Sequence, residues 1–199
     1  MRRLVTLVSL FLAALPLGGL AQSATPIATV DPAQWCMDKG GTVVHRTPAF
    51  GTNDPASMLV LGGGADFCQF ADGPEGEMTT SRISIDIESL AATKPTMAVL
   101  AYLTTPPIPA STSTANPASL YCAHLGGMEL GSSTLLGGGW ITDASGGDPD
   151  VLQVCTFADG SMIDSWGITY HTNGTIRGAD LKPLLGYQTS DPPIIFPEN

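Results

Sequence analysis

The chain has 199 residues, with 18 acidic against 8 basic side chains and a net charge of −10. That balance argues against nucleic acid or an anionic membrane surface as a partner and favours solubility or a cationic partner. Only 13% of the residues are charged, while 23 are Gly and 16 are Pro, a composition that suits short strands joined by many turns rather than long helices.

Residues 1–21 read as a signal peptide. Arg2 and Arg3 form a positive start, an apolar run follows over residues 4–15, and Gly19-x-Ala21 supplies small residues for cleavage. The apolar run is short for a membrane span. Without Arg2 and Arg3, six basic residues face the same 18 acidic ones, a net of −12. The reading is a periplasmic or secreted protein with no stable membrane insertion.

Next comes a short helix. Asp31 is its N-cap, Pro32 suits the first turn, and Gly40-Gly41 stop it. Residues 47–56 are polar and read as a loop. Residues 58–61 and 66–70 read as strands. Residues 82–87 alternate apolar and polar, which predicts a strand with one wet face. A second helix is expected after Asn116 and Pro117, stopped by Gly126-Gly127. Residues 142–150 read as another loop. Residues 151–157 and 163–170 read as strands joined by a turn at Ala158-Asp159-Gly160-Ser161, and Asn173-Gly174 reads as a further turn.

The same pattern therefore occurs twice. Pro32-Ala33-x-Trp35-Cys36-x-x-x-Gly40-Gly41 with Cys68-x-Phe70-Ala71-Asp72-Gly73 matches Pro117-Ala118-x-x-Tyr121-Cys122-x-x-x-Gly126-Gly127 with Cys155-x-Phe157-Ala158-Asp159-Gly160. The match continues from Lys94-Pro95, Tyr102, Thr104 and Pro106-Pro107-Ile108 to Lys182-Pro183, Tyr187, Thr189 and Pro192-Pro193-Ile194. Each copy is read as ending in an extended, Pro-rich arm. The domain reading is unit one over 28–110, a linker over 111–115 and unit two over 116–199. The fold expected is α+β, mostly β, each unit being a short N-terminal helix on a small antiparallel sheet.

Four cysteines in an exported chain read as disulfides. Of three connectivities the repeat selects Cys36–Cys68 and Cys122–Cys155, one bond inside each unit. Each bond closes a loop of about thirty residues, worth roughly 3–4 kcal/mol in the chain-entropy account. A metal site is the weaker alternative, since no Cys-x-x-Cys or paired Cys/His spacing occurs.

The residues Asn116-Pro117-Ala118-Ser119-Leu120-Tyr121-Cys122, Gly126-Gly127, Cys155-x-Phe157-x-Asp159-Gly160-Ser161 and Trp166 resemble a small bacterial exported domain of unknown function, domain of unknown function 333, whose members are often labelled hemolysin. Unit two carries the resemblance best. In unit one Trp35 stands for Tyr, and Pro74 follows Asp72-Gly73 where the family has Ser. The family's third and fourth cysteines fall near Ile163 and Asn173 here and are missing together, which implies that the first two bond to each other. The resemblance brings no catalytic residues, and no lytic amphipathic helix justifies the hemolysin label.

Candidate sites are few. Asp72 and Asp159 are read as turn residues that accept backbone hydrogen bonds, more than as recognition loops. His45, His124 and His171 lack an i, i+4 partner. No nucleophile with an adjacent base is visible. Residues 143–150 hold oxygen ligands but miss the EF-hand spacing for calcium. Trp35 and Tyr121 are expected to cover the disulfide or the core, and Trp140 and Trp166 to be core or half-buried. A sugar-binding surface at Trp140, beside Gly137-Gly138-Gly139, is a minor reading.

The function expected is an exported, non-catalytic tandem module that binds an unidentified protein or envelope component, with no cofactor. The alternative is a secreted peptidase inhibitor presenting the loops 47–56 or 142–150 or the hairpin turns. An enzyme would need a cleft formed between the two units.

Overall fold

A computed structural model describes residues 30–73, 81–110, 115–131, 135–142 and 150–188. In chain order its elements are α1 (Pro32–Asp38), β1 (Thr42–Phe50), a single 3-10 turn (Pro55–Ser57), β2 (Leu59–Val60), β3 (Ala65–Ala71), β4 (Arg82–Asp86), α2 (Ile87–Ala91) and α3 (Met97–Thr104). They continue with α4 (Pro117–His124), β5 (Gly138–Ile141), β6 (Val151–Leu152), β7 (Val154–Thr156), β8 (Met162–Asp164) and α5 (Ser165–Thr172). The fold is α+β, and both halves of the chain contribute to one antiparallel sheet. Its order is β6-β5-β1-β3-β4-β8-β7, with β2 paired to β1.

The two ends of that sheet, β6 and β7, are separated along the chain by Gln153 alone. The sheet must therefore turn back on itself, which gives a near-barrel and leaves two mouths. Alternation along the strands then sets two faces. Outside, Cys68, Phe70, Ile83, Ile85, Cys155 and Ile163 pack against the helices in the main core, with Leu90, Val99, Tyr102, Tyr121 and Ile168. Inside lie a small apolar cluster of Phe67, Leu152 and Val154, and the buried polar residues Arg46, Gln69, Ser84, Asp86 and Asp164.

The helices α1 and α4 start and stop where the sequence places them. Asp31 Oδ1 accepts from Ala33 N, and Asn116 Oδ1 from Ala118 N. At the C-terminus of α1, Gly40 takes φ +83° and Gly41 N donates to Cys36 O; Gly126 and Gly127 do the same at the end of α4, with Cys122 O as acceptor. These are Schellman stops, which satisfy carbonyls that the helix leaves open. The disulfides Cys36–Cys68 and Cys122–Cys155 then tie α1 to β3 and α4 to β7, with Cα separations of 5.6 and 5.5 Å. Two such bonds fit an oxidising, extracytoplasmic compartment. Among the described residues no helix is long and apolar enough to cross a membrane.

Several expectations need correction. The strand read over 163–170 ends at Asp164, whose carboxylate accepts from Trp166 N and Gly167 N and so starts α5. Asn173-Gly174 is then the end of that helix, with Gly174 at φ +79°. The loop read from residue 47 begins only after Phe50, because residues 47–50 pair with β5 from Thr47↔Ile141 to Phe50↔Gly138. The wet face expected for residues 82–87 is absent, since Ser84 and Asp86 point into the near-barrel and are buried. Thr104, read as the start of an extended arm, is the last residue of α3, which also holds Tyr102. After α3 the arm does lack regular structure, and Tyr121 of α4 donates to Pro106 O at 2.8 Å. Trp35 of α1 holds the chain after Lys182-Pro183 in a similar way, donating to Leu184 O at 3.0 Å. The signal peptide, residues 111–114 of the linker, residues 143–149 and the second Pro-rich arm from residue 189 fall outside the described residues.

Candidate functional site

The residues singled out in the sequence scatter. Asp159 is structural in detail. Its Oδ1 accepts from Ser161 N at 3.1 Å, and its Oδ2 accepts from Met97 N, the first N–H of α3, at 2.8 Å. Ser161 Oγ accepts from the next, Ala98 N, at 3.0 Å. Burial disfavours the Asp159 carboxylate, but the bonds from Ser161 and Met97 outweigh it and hold the carboxyl below its ordinary range. His45 pairs with Asp66 at 2.6 Å on an exposed edge. His171 stacks on Tyr102 at 4.1 Å, and burial lowers its pKa. His124 lies beside Tyr121. Trp140 meets Phe67 edge-on at 5.6 Å and packs on the inner cluster, so its ring is taken up by the near-barrel. Among the described residues no group of three His, Cys, Asp or Glu side chains is placed to hold a metal ion.

The convergent polar groups lie instead at the two mouths. One mouth is a cleft of about 370 Å³ between the ends of β3, β4 and β8. Its buried acid, Asp86, is fully engaged: Oδ1 accepts from Ser89 N at 2.8 Å and Oδ2 from Met162 N at 2.7 Å. Burial pushes its pKa up.

The other mouth is a cleft of about 400 Å³ whose walls include Arg82, Asn116, Gln153, Asp164, Trp166 and Arg177. β4 begins with Arg82, the one-residue join between β6 and β7 is Gln153, and β8 ends with Asp164. Beneath it sits an ion cluster. Arg82 grips Asp150 through both terminal nitrogens, at 2.7 and 2.5 Å. Arg46, 1% exposed, also reaches Asp150 Oδ2 at 2.7 Å and donates to Gln69 Oε1 at 3.1 Å. Burial lowers the Arg46 pKa, and Asp150 opposes that. Burial alone would raise Asp150, but hydrogen bonds from Arg82 and Arg46 bring it below the ordinary carboxylate range.

Asp164 differs from Asp86. Its Oδ1 serves two N–H groups of α5, and its Oδ2 has no hydrogen-bond partner among the described residues. Burial pushes its pKa up to about 6, against the bonds from α5 and the charges of Arg177 and Arg82. Asn116 Nδ2 donates to Gln153 Oε1 at 3.0 Å, which fixes the Gln153 amide. Arg177 lies over the Tyr170 ring at 5.0 Å, and Tyr170 lies 5.7 Å from Trp166. Trp166 and Arg177 thus line the cleft, with Tyr170 packed against both from outside it.

Trp166, expected to be core or half-buried, is half-buried, whereas Arg46, Arg82, Arg177, Gln153 and Asp164 carry no local motif that marks them as a site. The available signal was the scarcity of basic residues: beyond the first three positions there are only Arg46, Arg82 and Arg177 among the arginines, and all three come to one region. Asp150, the last of the oxygen-bearing residues in the 143–150 loop, is held by two of them. Comparison with family models, curated proteins and solved structures finds no match.

Proposed function

We propose that the chain is an exported, non-catalytic binding module built from two related units, akin to the hemolysin-labelled exported domains, and that it acts on a protein or envelope component outside the cytoplasm. The observation that carries binding is the cleft at Asp164, where side chains from both sequence halves converge and several polar atoms are left open. What supports the two-unit part is a set of equivalent positions. Cys68 pairs with Ile85 across β3 and β4, and Cys155 with Ile163 across β7 and β8. Ile85 and Ile163 then pair with each other, and each precedes an aspartate that caps a helix. On this reading Thr42↔Gln69 has its counterpart in the bridge Met128↔Thr156. A duplicated frame lets one copy of the cleft keep its buried acid engaged, at Asp86, while the other leaves it free for a ligand.

The test is affinity capture with the oxidised chain lacking residues 1–21, against envelope and secreted fractions of the producing cell, read by mass spectrometry. A reduced and alkylated sample is the control. The reading expects a component retained by the oxidised form alone. If the retained component is a protease that the chain inhibits, the peptidase-inhibitor alternative replaces this one. Retention of nothing by either form overturns it.

A further inference from the structure

The open atoms of the Arg82–Asp164 cleft define what it can hold. Asp164 Oδ2 is an acceptor on a residue only 3% exposed, and among the described residues nothing donates to it. Gln153 Nε2, Trp166 Nε1 and the guanidinium of Arg177 are donors, and none of them has a hydrogen-bond partner among the described residues. A simple cation leaves the three donors unmet, and a simple anion leaves Asp164 unmet and beside a like charge. A hydroxyl both donates and accepts, so a ligand with several hydroxyls can satisfy all four. The charges point the same way. Arg46 and Arg82 are committed to Asp150, which leaves Arg177 against Asp164. A nearly balanced site of this kind does not select a polyanion.

Shape supplies the second argument. Trp166, half-buried, lines the cleft with its indole, and Tyr170 lies outside the lining with its ring 5.7 Å from that of Trp166. The indole offers an apolar body beside the polar groups, and the C–H face of a pyranose ring matches it. The volume of about 400 Å³ is at the small end of ligand sites, which run from ~300 to 1,000 Å³, so one or two rings fit. The opposite mouth lacks this chemistry, because both oxygens of Asp86 are taken by backbone N–H groups.

We propose that the cleft at Asp164 and Trp166 binds a saccharide of one or two rings. The inference rests on the binding-module reading and names the ligand class for that site. Asp164 Oδ2 accepts from one sugar hydroxyl, Gln153 and Arg177 donate to others, and Trp166 stacks on the ring.

Isothermal titration calorimetry on the oxidised chain lacking residues 1–21 tests it, with glucose, galactose, N-acetylglucosamine and glucuronate and their β-linked disaccharides taken into the millimolar range. At least one sugar is expected to bind saturably. Trp166→Ala and Arg177→Met should each weaken it roughly tenfold or more, about 1.4 kcal/mol, while Glu88→Gln in the opposite mouth leaves it unchanged. Melting curves confirm that each variant folds, and if Trp166→Ala does not, Gln153→Ala takes its place. Absence of saturable binding by every sugar overturns the proposal, as does binding that survives Trp166→Ala and Arg177→Met. A capture experiment that still retains a partner in that event leaves the binding module standing with a different ligand, whereas failure of both removes the two readings together.

Discussion

A methyl group built on Gly41 would overlap the Sγ of Cys68 and lie 2.9 Å from that of Cys36. Gly127 stands in the same relation to Cys155 and Cys122. The first glycine of each Gly-Gly pair supplies the left-handed stop of the helix, and the second lets the disulfide pass against bare backbone. Gly41→Ala and Gly127→Ala should therefore each lower stability by about 3 kcal/mol, at the upper end for a small-to-large change in a packed site. Gly62→Ala, with nothing within 4 Å of the added carbon, should stay within about 0.5 kcal/mol of the parent chain. Urea midpoints of the oxidised proteins measure the difference, and equal effects at the three positions would contradict the packing account.

Asp159 couples the two halves by capping a helix of the first from a turn of the second. Met97 N donates to its Oδ2, while its Oδ1 also orders Ser161, which receives Ala98 N. Asp159→Ala should cost about 1–2 kcal/mol, the cost of losing a helix cap. The loss should show as faster amide exchange at Met97 and Ala98 relative to α4, whose cap is Asn116. Unchanged exchange at those two amides would mean that the cap contributes nothing.

Asp150 sits between two arginines, one of them buried. Asp150→Asn leaves the Arg46 guanidinium without its carboxylate, although the carbonyls of Trp140 and Asp150 and the amide oxygen of Gln69 still accept from it. Breaking a fully buried pair costs about 3–5 kcal/mol; with Asp150 39% exposed, about 2 kcal/mol is expected here. Thermal unfolding in low and high salt checks this. The loss should persist in high salt, since Arg46 is screened by protein rather than by ions.

What could be read from the sequence, and what could not, follows from the range of the interactions involved. Helix caps, Gly-Gly stops and the cysteine pairing depend on neighbours or on a repeated spacing, so α1, α4 and both disulfides were legible. The strand expected over 163–170 failed because Asp164 had two local roles open to it, a wet-face strand position or a helix cap; it caps α5, whose Gly167 packs closely on Ile83. The buried polar face of β4 was hidden because alternation alone reports period, not what covers each face. The cleft was hidden for the same reason. Arg82, Gln153 and Arg177 are far apart in sequence, and only the return of the sheet on itself at Gln153 brings them together.

The raised pKa of Asp164 carries a stability consequence whose sign can be fixed. Its folded value of about 6 lies above the ordinary carboxylate range, mainly through burial. Between those two values the folded chain holds a proton that the unfolded chain has released, so this group's contribution falls as pH rises through that window. A shift of about two units corresponds to about 3 kcal/mol lost between pH ~4 and pH ~6. Asp150, whose pKa is lowered, acts in the opposite sense and below that window: its contribution is present above the ordinary carboxylate range and is lost as pH falls through its folded value. Asp164→Asn keeps an oxygen for Trp166 N and Gly167 N and cannot ionise. The variant should match the parent near pH 4 and exceed it by up to about 3 kcal/mol at pH 7, which denaturant titrations at the two pH values will show. A gap between variant and parent that is the same at both would mean that Asp164 does not titrate in this window.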